Sequence, residues 1–159
     1  MRRRVATLVL LIAGAAQAGQ PVVVSDFALK ALDGRNYRLS EYRGEVVAVV
    51  FWASWCGPCR DELSRLQSLR ELYADAGLQV LAVSMDERTD AAASVAASLR
   101  LTYPQLHDAD LALSKVWDPQ RLPATYLFGR AGELRYLQLG SDAQSRIDLV
   151  ARVRTLLDE

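Results

Sequence analysis

The chain has 159 residues, 19 basic against 19 acidic side chains, one histidine and two cysteines, and 51% of it is hydrophobic. With no run of like charge beyond the first few residues, this balance argues against nucleic acid or an anionic membrane surface as a partner. The length suits one ordinary domain, and the composition excludes a disordered or repeat protein.

Arg2, Arg3 and Arg4 open the chain, Val5 to Ala16 follow as an apolar stretch, and Ala16-Gln17-Ala18 has the small-x-small form of a cleavage site. Residues 1–18 therefore read as a secretory signal peptide, which predicts an exported, periplasmic protein. The apolar stretch falls short of the ~20 residues that span a bilayer, with a short uncleaved anchor as the alternative. Cleavage after Ala18 leaves 141 of the 159 residues, with 16 basic and 19 acidic side chains.

Residues 19–159 read as one α/β domain. Phe27 to Leu32, the turn pair Asp33-Gly34 and Asn36 to Leu39 predict an N-terminal β-hairpin. Val46 to Trp52 is β-branched, aromatic and continuously apolar, as a buried central strand requires. Leu63, Leu66, Leu69, Leu72 and Tyr73 then mark one face of a helix ending near Gly77. Leu78 to Val83 is a second buried strand. Ala91 to Leu99, with Thr89 or Asp90 as N-cap, and Asp110 to Trp117 are helices. Ala124 to Phe128 and Leu134 to Leu139 form an antiparallel pair. A final helix, capped by Ser141 or Asp142, carries Ile147, Val150, Val153, Leu156 and Leu157 on one side. This order predicts a mixed central sheet with helices on both faces and chemistry at the C-terminal end of the central strand.

That end holds Trp55-Cys56-Gly57-Pro58-Cys59, and with it both cysteines of the chain. Pro58 suits the first turn of a helix, so Cys56 sits where unpaired N–H groups and the helix dipole favour thiolate over thiol. Cys56 is the expected nucleophile, and Cys59, one turn on, resolves a mixed disulfide. A purely structural disulfide this short would constrain little of the unfolded chain. Two cysteines and His107 do not make a closed zinc site. Copper(I), which accepts two thiolates, leaves a copper chaperone as the alternative function. His107 reads as a surface or packing residue, Trp52 as core, and Asp86, Glu87 and Asp90 as a solvated acidic turn.

With these elements placed, the chain resembles thioredoxin-fold proteins, through Phe51-Trp52-Ala53-Ser54-Trp55-Cys56-Gly57-Pro58-Cys59 and through Leu122-Pro123-Ala124-Thr125 entering a strand. More narrowly it resembles the exported TlpA/ResA-type thiol–disulfide oxidoreductases, through Asp33-Gly34, Leu39-Ser40, Arg43-Gly44-Glu45-Val46-Val47 and Glu62. Residues 85–119 resemble the helical segment this group inserts between two core strands. The resemblance implies a thioredoxin-like fold and a redox-active Cys56–Cys59 pair with no further cofactor and no metal. It implies a cis-proline at Pro123 and a client-binding platform of Trp55, Gly57, Pro58, Leu122 and Pro123.

Many thioredoxins carry a buried Asp six residues before the first cysteine, where this chain has Val50. Glu62, one turn beyond Cys59, matches an acidic residue of the ResA-like branch and is the expected proton-exchange partner of Cys59. Gly57-Pro58 matches the reducing members. The implied partners are thiols and disulfides of exported proteins, such as apocytochrome c or copper-site assembly factors, and a membrane electron donor, with the protein itself a monomer. Two departures stand out. Trp117 to Pro123 lacks the Gly-x-x-Pro-Glu-Thr pattern of dedicated cytochrome-maturation members, and Arg121 replaces a common Gly two residues before Pro123. A peroxidase would need Pro and Thr at fixed offsets before Cys56, and neither is present.

Overall fold

The computed structural model describes residues 24–159, so the expected signal peptide lies outside the described residues. The elements in chain order are β1 (Ala28–Lys30), β2 (Asn36–Arg38), a 3-10 turn (Leu39–Tyr42), β3 (Val46–Trp52), α1 (Gly57–Tyr73), β4 (Leu78–Ser84), α2 (Thr89–Ser98), β5 (Gln105–His107), α3 (Ala112–Trp117), β6 (Ala124–Phe128), β7 (Leu134–Leu139) and α4 (Ala143–Leu157). All seven residues of β3 are buried. That is why the run shows no polar alternation: β3 is central, parallel to β4 and antiparallel to β6, in a five-stranded sheet of order β5-β4-β3-β6-β7.

Alternate residues of β3 serve two cores. Val46, Ala48, Val50 and Trp52 face a cluster with Cys59, Leu63 and Leu66 of α1, Ala92 and Val95 of α2, and Leu149, Val153 and Leu156 of α4. Val47, Val49 and Phe51 face the other side, against Phe27, Leu113 and Trp117. There Trp117 sits 5.0–5.7 Å, ring centroid to centroid, from Tyr126, Phe27, Phe51 and Phe128. Its indole N–H donates to the Ser25 carbonyl at 3.2 Å. Residues 85–119 thus reach both cores, α2 through Ala92 and Val95 and α3 through Leu113 and Trp117, and Trp117 pins the chain ahead of the hairpin. Helices cover both faces, as expected of the mixed sheet.

Several expectations are corrected. The hairpin strands pair Ala28 with Arg38 and Lys30 with Asn36, so the connection is the five residues 31–35 and not Asp33-Gly34 alone. It is closed by Ala31 N–H to Arg35 O and Gly34 N–H to Ala31 O, with Gly34 in the left-handed region (φ 86°). Between α2 and α3 lies a strand that the sequence reading omits: β5 pairs parallel with β4, and Ala31 bridges Leu106, tying the hairpin to this sheet edge. Arg88, not Thr89 or Asp90, is the N-cap of α2, with no side-chain cap bond. On α1, Leu72 points to solvent. On α4, Ile147 is 65% exposed, and Leu149 takes the buried place. The α4 cap itself is Asp142, whose carboxylate accepts from Ser145 N–H at 2.9 Å.

Candidate functional site

The run of β3 ends in a tight turn that delivers Cys56 to the N-cap of α1. Cys56 N–H donates to Ala53 O at 3.0 Å, and Cys59 N–H to Cys56 O at 3.2 Å. Cys56 has extended backbone (φ −86°, ψ 100°), and Gly57 and Pro58 fill the first turn, where an imino nitrogen costs no hydrogen bond. Cys56 and Cys59 are joined by a disulfide (S–S 2.08 Å, Cα–Cα 5.3 Å). The two sulfurs differ in access: Cys56 keeps 7% of its surface exposed and Cys59 none. An incoming thiol or disulfide can therefore reach the pair only through Cys56. When reduced, Cys56 lies at the positive end of a 17-residue helix, which favours its thiolate.

Around this pair, Trp55 is 72% exposed beside Cys56. The Leu122–Pro123 peptide is cis, and Pro123 is buried with its carbonyl accepting from Gly140 N–H at 2.8 Å. Leu122 lines an open cleft of about 560 Å³ together with Gly57 and Pro58. A Cβ at Gly57 would meet nothing within 4 Å, so the cleft is open at this residue. Ser141 closes the far wall, its hydroxyl donating to Pro58 O at 3.1 Å.

Glu62 is the most unusual side chain at the site. It follows Cys59 by one turn on the same face of α1, and both are fully buried. Val50, Thr125 and Gln138 stand in register across β3, β6 and β7. Glu62 reaches the two polar members of that row. Thr125 Oγ1 donates to its Oε1 at 3.0 Å, and Gln138 Nε2 to the same oxygen at 3.3 Å. Its Oε2 has no hydrogen-bond partner, and the Arg65 Nε lies 3.6 Å away, a Coulombic neighbour rather than a bonded one. Burial pushes the Glu62 carboxyl above its ordinary value, against the opposing pull of Thr125 and of the Arg65 charge. The nearby Tyr103 hydroxyl is pushed up as well, by its own burial first and then by the Glu62 charge. The helix thus brings an acid to the face from which Val50 withholds one.

A second buried acid was missed. Asp86, expected in a solvated turn, is only 5% exposed. Its carboxylate accepts from Ser54 N–H (3.0 and 3.1 Å to the two oxygens), from the Ser54 hydroxyl at 2.6 Å and from the Ser84 hydroxyl at 2.8 Å. His107 Nε2 lies 2.7 Å from the Asp86 carbonyl, which makes that nitrogen the protonated one. His107 is therefore half-buried support behind Asp86, and Asp86 clamps the loop two residues before Cys56. The only hint in the sequence was Ser84-Met85-Asp86, a short acceptor following a buried strand. Replacing Asp86 by Ala should strand the Ser54 and Ser84 donors and cost about 1–3 kcal/mol of stability, read as a lower denaturant midpoint at unchanged slope. A midpoint equal to wild type would mean that these bonds do not hold the loop.

Among the described residues no group of three or more His, Cys, Asp or Glu side chains is arranged to hold a metal ion, and no helix is long and apolar enough to cross a membrane.

The arrangement has clear relatives. The AhpC/TSA family profile matches residues 19–137. Thiol-disulfide oxidoreductase ResA of Geobacillus kaustophilus is 32% identical over 123 residues, covering 77% of this chain and 71% of that protein. Thioredoxin-like protein YneN of Bacillus subtilis is 30% identical over 131 residues, covering 78% and 76%. Among solved structures, a Chlorobium tepidum protein described as a thiol:disulfide interchange protein DsbE superimposes with a TM-score of 0.80 at 28% identity, over 84% of this chain and 94% of that one.

Proposed function

Since the chain belongs to the AhpC/TSA family and, within it, to the ResA-type thiol–disulfide oxidoreductases, we propose that it acts outside the cytoplasm as a reductase of disulfides in other exported proteins. The observation that carries the chemistry is the asymmetric dithiol site: an accessible Cys56 at a helix N-terminus, bonded to a fully buried Cys59. In the reduced protein the Cys56 thiolate attacks one sulfur of a client disulfide, and the other client sulfur leaves as thiolate. Cys59, deprotonated, then attacks Cys56 sulfur, expelling the second client thiolate and forming the Cys56–Cys59 disulfide. Two electrons pass from the pair to the client, and each departing thiolate takes up a proton. An external dithiol must restore the pair, which gives a membrane electron donor its place.

In this reading Trp55, Gly57, Pro58, Leu122 and Pro123 hold the client backbone along the cleft, and Glu62 exchanges a proton with Cys59. The leader Arg2 to Ala18 supports export, and Gly57-Pro58 between the cysteines supports the reducing direction. Clients with cysteines awaiting metal or haem, such as apocytochrome c or copper-site assembly factors, fit that direction. Equilibration with glutathione buffers tests it. The potential should lie closer to the ~−270 mV of thioredoxin than to the ~−120 mV of DsbA. A value above about −180 mV would overturn the reductase assignment, because the oxidised protein would then draw electrons from clients instead of supplying them.

A further inference from the structure

The cleft beside the cysteines is lined by four charged side chains: Asp61 of α1, Arg121 before the cis-proline, and Asp142 and Arg146 at the start of α4. Three are already engaged. Asp142 caps α4 through Ser145 N–H. Arg146 Nε donates to Ser141 O at 2.9 Å, and its Nη2 stands 3.8 Å from Asp61 Oδ2. Arg121 makes no hydrogen bond or ion pair among the described residues, and it is exposed.

Arg121 lies against Gly140. A Cβ at Gly140 would lie 3.4 Å from Arg121 Nη1, so the guanidinium rests against the face that Gly140 leaves bare, with Leu122 between it and Pro123. Gly140 holds φ +81° in the turn from β7 to α4, where other residues are strained, so this bare face is built into the turn. The Asp142 carboxyl is held below its ordinary value chiefly by Ser145 N–H, with Arg121 the weakest of its influences. Arg121 therefore stands beside the cleft as an exposed cation with only a weak hold on Asp142. Two arginines balance two aspartates there, and both aspartates are engaged, Asp142 in the α4 cap and Asp61 beside Arg146. Arg121 is the one of the four that has no partner among the described residues.

We infer that Arg121 selects clients: it favours a protein disulfide whose reacting cysteine is flanked by an acidic residue and disfavours one flanked by a basic residue. This rests on the exchange reading above. A client strand lying along Gly57, Pro58 and Leu122 puts its neighbouring side chains over the wall where Arg121 stands. The attraction is that of an exposed ion pair, a factor of about two to five in kcat/KM that fades with salt.

The test uses two short peptide disulfides identical except that Glu or Lys flanks the cysteine, each rate divided by that of a small-molecule dithiol to remove intrinsic reactivity. The purified reduced protein should reduce the Glu peptide about two- to fivefold faster than the Lys peptide at low ionic strength, and nearly equally at about 0.5 M salt. Arg121→Gln should abolish the preference and Arg121→Glu invert it. Equal rates for wild type, or a preference that survives Arg121→Gln and disappears instead in Arg146→Gln, would overturn the assignment. Failure of the wild type to reduce either peptide would take down the exchange reading and this inference with it.

Discussion

Cys59→Ser should trap client proteins as mixed disulfides on Cys56 and complete no catalytic cycle, whereas Cys56→Ser should trap none and reduce disulfides no faster than buffer. The difference follows from access. Cys56 alone reaches the surface, so the first bond to a client can form only there, while Cys59 is wholly buried and can act only on the sulfur of Cys56. Removing the inner thiol leaves the first step intact and the second without a nucleophile. Removing the outer one leaves a buried thiol that no client sulfur can approach. The captured adducts are read by non-reducing electrophoresis after quenching free thiols with acid, and turnover by reduction of a protein disulfide. A serine at position 59 buries a hydroxyl among apolar neighbours and costs about 1–3 kcal/mol, so the fold is checked by circular dichroism in parallel. Equal trapping by both variants would show that the order of the two cysteines has been assigned wrongly. Absence of trapping by both would remove the exchange reading.

How much of this could be read from residues alone depends on how local the cause is. Val46–Trp52 is a continuous apolar run because both of its faces are buried, and that cause is written within the run itself. The turn at Cys56 is legible for the same reason: a strand, then Pro58 in a first turn, then leucines at helical spacing. Strand β5 was not legible. Its three residues, Gln105-Leu106-His107, include two polar ones, and they are extended because Ala82, Val83 and Ser84 supply a ladder more than 20 positions earlier.

Asp86 failed for a related reason. Beside Glu87 it looks like any solvated acid, and its burial is decided by Ser54, 32 positions away. Glu62 lies between these cases. Its spacing from Cys59 placed it on the right face, but its bonding partners are 63 and 76 positions distant, beyond any periodicity. Local pattern locates the reacting groups; the sheet register decides which acids are buried beside them. Ile147 and Leu72 are the reverse error, apolar residues at helical spacing that find no partner surface.

Glu62→Gln should change the pH dependence of exchange strongly while leaving the protein at least as stable as wild type near neutrality. The stability sign follows from burial. The Glu62 carboxyl titrates above its ordinary 4.5 in the folded protein, so in the interval between that value and the raised one the folded state binds more protons than the unfolded chain. Wild-type stability should therefore fall as pH rises from about 4.5 through the raised value, and stay lowered above it. A glutamine at this position has no proton to lose, so the two stability curves should run together at about pH 4 and separate with the variant higher at pH 7.

The loss in exchange has a different origin. Cys59 must give up a proton inside the core to attack Cys56 sulfur, and in the proposed reading Glu62, buried one turn away with its carboxyl raised, receives it. Glutamine keeps the size and can still accept from Thr125 and Gln138, but it cannot take a proton. The variant should lose the step in the rate profile that reports the carboxylate and slow by about 100-fold at pH 7, at the low end of what a positioned base supplies. Stopped-flow reduction of a model disulfide from about pH 5 to 9 measures the loss in exchange, and urea midpoints at about pH 4 and 7 the change in stability. Superimposable rate profiles with separated stability curves would leave Glu62 a buried acid without a part in exchange. Superimposable results in both would mean that the carboxyl titrates as a solvated one.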